Sequence, residues 1–169
     1  MEVSMDEKDY YLVIKNELGK LLKKKFDEYY LEITANKNFS NKLKKKIDED
    51  RNIIFSFLKE AAPDITGYVE SGFLTQLLEW KRYVFVVVEI KRDKLKLDDI
   101  YQIRKYSELF DARLSLLISL KDIPEEIKRL SKAVEQLLSQ PDGEKIIIAQ
   151  FSPHEKCFKE WFPKNPFSW

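Results

Sequence analysis

An α/β fold with a mixed central sheet flanked by helices is predicted by three observations. Tyr83–Ile90 is a near-continuous apolar run, Val-Phe-Val-Val-Val at its heart, as expected of a strand covered on both faces. Arg113–Leu120 and Lys145–Phe151 are two more runs of the same kind. Between these runs lie segments of helical spacing, Leu97–Phe110 and Pro124–Leu138. Strands alternating with helices bury their apolar faces most simply as a sheet with helical layers.

Each element follows in order from local chemistry. Met5 to about Lys25 reads as an amphipathic helix, with Tyr11, Ile14, Leu18, Leu21 and Leu22 on one side. Its lysines Lys20–Lys25 gather toward the C-terminal end, where positive charge is favoured. Tyr29–Thr34 is short and β-prone, and Asn36–Asn41 is a polar turn. Ser40 is placed to cap a second helix through Lys42–Lys46. Ile53–Leu58 fits either the end of that helix or a short buried strand. After Pro63 the pattern turns to strands: Asp64–Glu70, a turn at Ser71–Gly72, Phe73–Trp80, a turn at Lys81–Arg82, then Tyr83–Ile90. Asp98 or Asp99 starts the Leu97–Phe110 helix, Pro124 opens the next one, and Pro141–Gly143 is a turn. An aromatic tail, Phe158, Trp161, Phe162, Phe167 and Trp169, ends the chain.

Composition narrows the chemistry. The 30 Lys and Arg residues against 29 Asp and Glu give a net charge of +1, which excludes a polycation holding nucleic acid by bulk charge. A single cysteine, Cys157, excludes an internal disulfide framework, and a single histidine, His154, argues against a His-based metal site or triad. Both are assigned structural roles. Met1–Asp9 is acidic without the apolar run of a signal peptide, and Tyr83–Val88 is too short to span a bilayer. The expectation is a reduced, cytoplasmic protein with no membrane partner, organised as one domain. Residues 1–62 form a helical extension and the start of the core, 63–120 the motif-bearing core, and 121–169 a helix, a strand and the tail.

The informative constellation is Pro63-Asp64 followed by Glu89-Ile90-Lys91. Residues 89 and 91 share one face of a strand, and the hairpin or meander between the two carboxylates allows Asp64 to meet them. Asp64, Glu89 and the Ile90 carbonyl suit Mg²⁺ or Mn²⁺, a hard cation that keeps several waters. Lys91 beside it can orient an attacking water or neutralise developing charge on a phosphoryl group. Gln102 and Tyr106, four apart on the next helix, share a face.

This ordered set resembles the PD-(D/E)XK nuclease superfamily, in particular its RecB-like branch with a QxxxY motif. The resemblance spans roughly Pro63–Leu120. It implies a restriction-endonuclease-like core and metal-dependent phosphodiester hydrolysis of nucleic acid, DNA foremost. It also implies catalytic roles for Asp64, Glu89, Lys91, Gln102 and Tyr106. Glu49 and Glu60 are equal candidates for an upstream acid that the superfamily often adds. Arg92, Lys94, Lys96, Arg104 and Lys105 surround the site in sequence and are the expected nucleic-acid contacts. The lysine runs Lys20–Lys25 and Lys42–Lys46 read as solvated helix faces before phosphate contacts. Gly67 fits the close approach of a backbone or substrate, or equally a strand bulge. The tail is expected to pack on the core or on a partner in a homodimer. The alternative function is a non-catalytic nucleic-acid-binding or assembly module on the same fold. Its mark would be loss of a core residue, and none of the three is lost. The motif is equally compatible with DNA and RNA, and with endonuclease and exonuclease action.

Overall fold

The computed structural model describes residues 6–70, 83–140 and 144–168. Six described strands form one sheet in sequence order: β1 (Glu28–Ile33), β2 (Ile65–Glu70), β3 (Tyr83–Lys91), β4 (Leu114–Ser119), β5 (Ile147–Ser152) and β6 (Cys157–Phe162). The pairings β1/β2, β2/β3 and β5/β6 are antiparallel, whereas β3/β4 and β4/β5 are parallel. The mixed sheet flanked by helices is therefore present. The predicted Phe73–Trp80 strand and the turns at Ser71–Gly72, Lys81–Arg82 and Pro141–Gly143 lie outside the described residues.

Alternation on β3 divides the core into two layers. Val84, Val86, Val88 and Ile90 face one side, with Ile14, Leu18 and Leu22 of helix α1 (Glu7–Lys25). Phe85 and Val87 face the other, against Ile100, Ile103, Tyr106 and Phe110 of a later helix, Leu97–Phe110. Both faces of β3 are dry, which is why its sequence is apolar throughout rather than alternating.

The short helices close the second layer. Ser40 caps α2 (Asn41–Lys44), its hydroxyl accepting from Leu43 N at 3.1 Å. This helix stops short of Lys46 because the chain tightens into i→i−3 bonds, Lys46 N to Leu43 O and Ile47 N to Lys44 O, that turn Ile47 into the core. Lysines of this segment lie over rings, Lys42 on Tyr30 at 4.2 Å and, beyond the helix, Lys46 on Tyr83 at 4.0 Å. The Ile53–Leu58 segment is neither a strand nor the end of α2: it holds a separate short helix, α3 (Ile54–Phe57), and buries Ile54 and Leu58.

Helix α4 (Leu97–Phe110) has the predicted bounds. Asp99 Oδ2 accepts from Lys96 N at 2.8 Å to fix its start. Asp111 ends it in the left-handed region at φ 50°, letting Ala112 N reach Ser107 O at 2.9 Å. The last described helix, α5, spans Glu125–Ala133 and not the whole of Pro124–Leu138. The chain leaves helical geometry at Val134 so that Leu137, Leu138 and Gln140 can enter the core. There Gln140 Oε1 accepts from Ser107 Oγ and Ser115 Oγ at 2.7 and 2.6 Å, bonds a continued helix would forgo.

The aromatic tail is largely strand. β6 pairs with β5, and Phe158, Trp161 and Phe167 pack in a row from Phe151, edge-on, stacked and edge-on in turn, with centroids 5.0, 4.6 and 5.4 Å apart. Together with α1 they cover the first face of the sheet, and Lys25 Nζ donates to Pro166 O. Packing on the core accounts for these rings; Trp169 lies outside the described residues.

Gly67 resolves to a close backbone approach. A Cβ there would stand 1.9 Å from Tyr30 O on β1, one residue from Leu31, its register partner. A Gly67→Ala variant must push β1 away, and a loss of roughly 1–3 kcal/mol or more is expected from overpacking. Chemical denaturation reads it directly, and an unchanged midpoint would contradict this β1/β2 contact.

Candidate active site

The site is assembled at the C-terminal end of β3, on the α4 side of the sheet. Glu89 and Lys91 continue the Phe85–Val87 face, so alternation points both beneath α4. Asp64 immediately precedes β2. The register pairs Ile65 with Val88, so one further step sets Asp64 opposite Glu89. Its carboxylate is fixed by the Ile90 amide, which donates to Asp64 Oδ2 at 2.7 Å. Asp64 and Glu89 are buried, at 8% and 4% exposure, where an anion needs a compensating partner.

The backbone at Asp64 is clamped by the end of β1. Thr34 N and Ala35 N both donate to Asp64 O, at 2.8 and 3.2 Å. Thr34 Oγ1 donates to Pro63 O at 2.6 Å and lies 2.7 Å from Thr66 Oγ1. Both threonines are fully buried on the site face. They stiffen the Pro63-Asp64 step, a role that sequence pattern alone did not reveal.

On the helix side, Gln102 Oε1 accepts from Lys91 Nζ at 2.8 Å and Gln102 Nε2 donates to Tyr106 Oη at 3.3 Å. Lys91 Nζ also lies 3.1 Å from Glu89 Oε1 and 3.6 Å from Asp99 Oδ1. All five residues singled out as catalytic therefore belong to one connected cluster. The capping pattern of the sequence offers Asp99 only a helix-starting role, shared with Asp98. Its position three before Gln102 and seven before Tyr106 puts it on the same helix face, a signal present in the spacing.

Electrostatics separates the roles. Burial raises the Glu89 carboxyl pKa to about 7, and the nearby Asp64 adds to this while Lys91 opposes it. Burial disfavours the Lys91 ammonium, but Glu89, Asp99 and Asp64 more than offset it and hold the lysine above its ordinary pKa. Lys91 is thus a fixed cation and not a base. Burial also raises the Tyr106 pKa, so the phenol stays neutral and can donate.

One atom is left over. Glu89 Oε2 is buried and has no hydrogen-bond partner among the described residues. Such an atom costs on the order of 1–3 kcal/mol or more unless a ligand meets it. A buried carboxylate oxygen beside a second carboxylate is a donor set that suits a hard cation. Among the described residues no three His, Cys, Asp or Glu side chains are placed to hold one metal ion together, so a cation here would draw on two carboxylates, backbone oxygen and water. Ile90 shows its amide at the site, already committed to Asp64. Glu49 and Glu60 are both exposed and supply no third carboxylate.

The basic residues divide. Arg92 lies across the sheet from the site, its guanidinium 5.5 Å from the Tyr10 ring of α1. Lys94 reaches Glu126 at 3.5 Å, and Arg104 reaches Glu108 at 3.6 Å and Gln136 O at 3.3 Å. Lys105 Nζ lies 4.9 Å from the Tyr106 ring. Lys96 enters through its backbone, as the N-cap of α4. Lys94 and Lys96 flank the site in the β3–α4 connection, whereas Arg92 does not face it.

No described helix is long and apolar enough to cross a membrane. Compared with known proteins, the chain matches no family model, no curated protein and no solved structure.

Proposed function

We propose that this chain is a metal-dependent phosphodiesterase acting on nucleic acid, DNA foremost, with a restriction-endonuclease-like core. The observation that carries the reading is the buried Glu89 whose Oε2 has no partner among the described residues, set beside Asp64 and a lysine held by Gln102. Asp64 and Glu89 would hold Mg²⁺ or Mn²⁺, which when bound supplies Lewis-acid polarisation of a phosphoryl oxygen and a more acidic water. Lys91, kept cationic and aimed by Gln102, neutralises charge developing on the phosphate and orients the attacking water. Tyr106 fixes the Gln102 amide and so the lysine's direction. Lys94 and Lys96 stand where a flanking phosphate would pass. A non-catalytic module would account for the fold but would leave the Glu89 oxygen without a purpose.

The test is a labelled-oligonucleotide panel, single-stranded, double-stranded and branched, with Mg²⁺ or Mn²⁺. Metal-dependent cleavage by the wild type, abolished in Asp64→Asn with the fold intact by circular dichroism, is the expected result. A wild type that binds every substrate and cuts none would overturn the reading.

A further inference from the structure

The first carboxylate of α4 has a place in the cluster beyond starting the helix. Asp99 Oδ2 accepts from Lys96 N at 2.8 Å while Asp99 N donates back to Lys96 O at 3.1 Å. That reciprocal loop leaves Oδ1, 3.6 Å from Lys91 Nζ, on a carboxylate that has little freedom to turn. Its side chain is only 17% exposed. Among the described residues, the anionic groups facing Lys91 are Glu89 and Asp64 from the strands and Asp99 from the helix. Only Asp99 stands outside the pair that would hold a cation.

Resting on the phosphodiesterase reading, we propose that Asp99 is a positioning residue that draws the Lys91 ammonium toward α4 and so limits its hold on Glu89. Glu89 Oε1 presently meets Lys91 while Oε2 is open. A divalent cation at Glu89 repels an ammonium bonded to the same carboxylate. Gln102 accepts from Lys91 but carries no charge, so it orients the lysine without balancing it. Asp99 supplies the balancing charge from a rigid site and lets both cations coexist. Without it, Glu89, already 3.1 Å from Lys91 Nζ, holds the ammonium more tightly, and the lysine competes with the metal.

The test is Asp99→Asn, whose amide oxygen can still accept from Lys96 N but whose charge is gone. Asp98→Asn is the control for the first turn of the helix. Three readouts are taken: order of the Lys91 ammonium by ¹⁵N relaxation, assigned by its loss in Lys91→Ala; Mn²⁺ affinity by calorimetry; and kcat and KM for oligonucleotide cleavage. Asp99→Asn is expected to loosen the ammonium and to weaken Mn²⁺ and kcat by about tenfold each, with KM little changed. The same substitution in a Lys91→Ala background should add no further loss. Unchanged ammonium order, or an equal loss in the Lys91→Ala background, would overturn the proposal. A loosened ammonium and weaker Mn²⁺ binding in a protein that cuts nothing would uphold the positioning role and sink the phosphodiesterase reading. Full cleavage by Asp99→Asn would do the reverse.

Discussion

Glu89→Gln is expected to abolish metal-dependent cleavage and, in the same protein without metal, to remove most of a pH-dependent loss of stability. The carboxyl of Glu89 sits at about pH 7 in the fold, mainly because burial disfavours its charge. In the unfolded chain it titrates near the ordinary glutamate value. Between those two values the folded protein keeps a proton that the unfolded chain has released. Stability from this group is therefore complete below the unfolded value and is lost as pH rises through about 7. The shift corresponds to an effect on the order of 3 kcal/mol. Thermal melts of metal-free wild type should fall from pH 5 to pH 8 more steeply than those of Glu89→Gln. Parallel melting curves for the two proteins would contradict the assigned environment. Saturating metal should act in the opposite sense, adding about 2.7 kcal/mol at a hundred times Kd in the wild type and nothing in Glu89→Gln.

Lys91→Ala should lower kcat by about 10²–10³-fold while changing nucleic-acid affinity little. The reason is geometric. Lys91 is bound on three sides, by Glu89, Gln102 and Asp99, so its ammonium is a preorganised charge and not a mobile surface contact. A charge already in place needs no reorganisation when the phosphate gains negative charge, and its loss appears in the transition state. Lys45 is the comparison: exposed on the α2 segment and outside the cluster, its replacement by alanine should alter at most affinity and its salt dependence. Steady-state kinetics on the preferred oligonucleotide separates the two. Equal loss of affinity and kcat in Lys91→Ala would assign the lysine to ground-state binding instead.

Glu89 and Lys91 could be placed on one face from sequence because strand alternation is set by covalent neighbours two positions apart. The same holds for Gln102 and Tyr106 one helical turn apart, for the Ser40 cap, and for the bounds of Leu97–Phe110. These are local facts, carried by periods of two and 3.6 residues. What the tertiary structure decided involves partners distant in the chain. Arg92 follows Lys91 directly, yet alternation sends it to Tyr10, and only the position of α1 shows what lies there. The dense rings after Cys157 carry no clear alternation, and they become a strand because β5 offers an edge to pair with. Thr34 reaches Pro63 only through the β1/β2 register, and Asp99 became a partner of Lys91 only once α4 lay across the end of β3. The residue types needed for the proposed cation site were therefore written in the sequence by itself. Their burial, the open Glu89 oxygen and the ion pairs that orient Lys91 depend on register and layer packing, which no local period encodes.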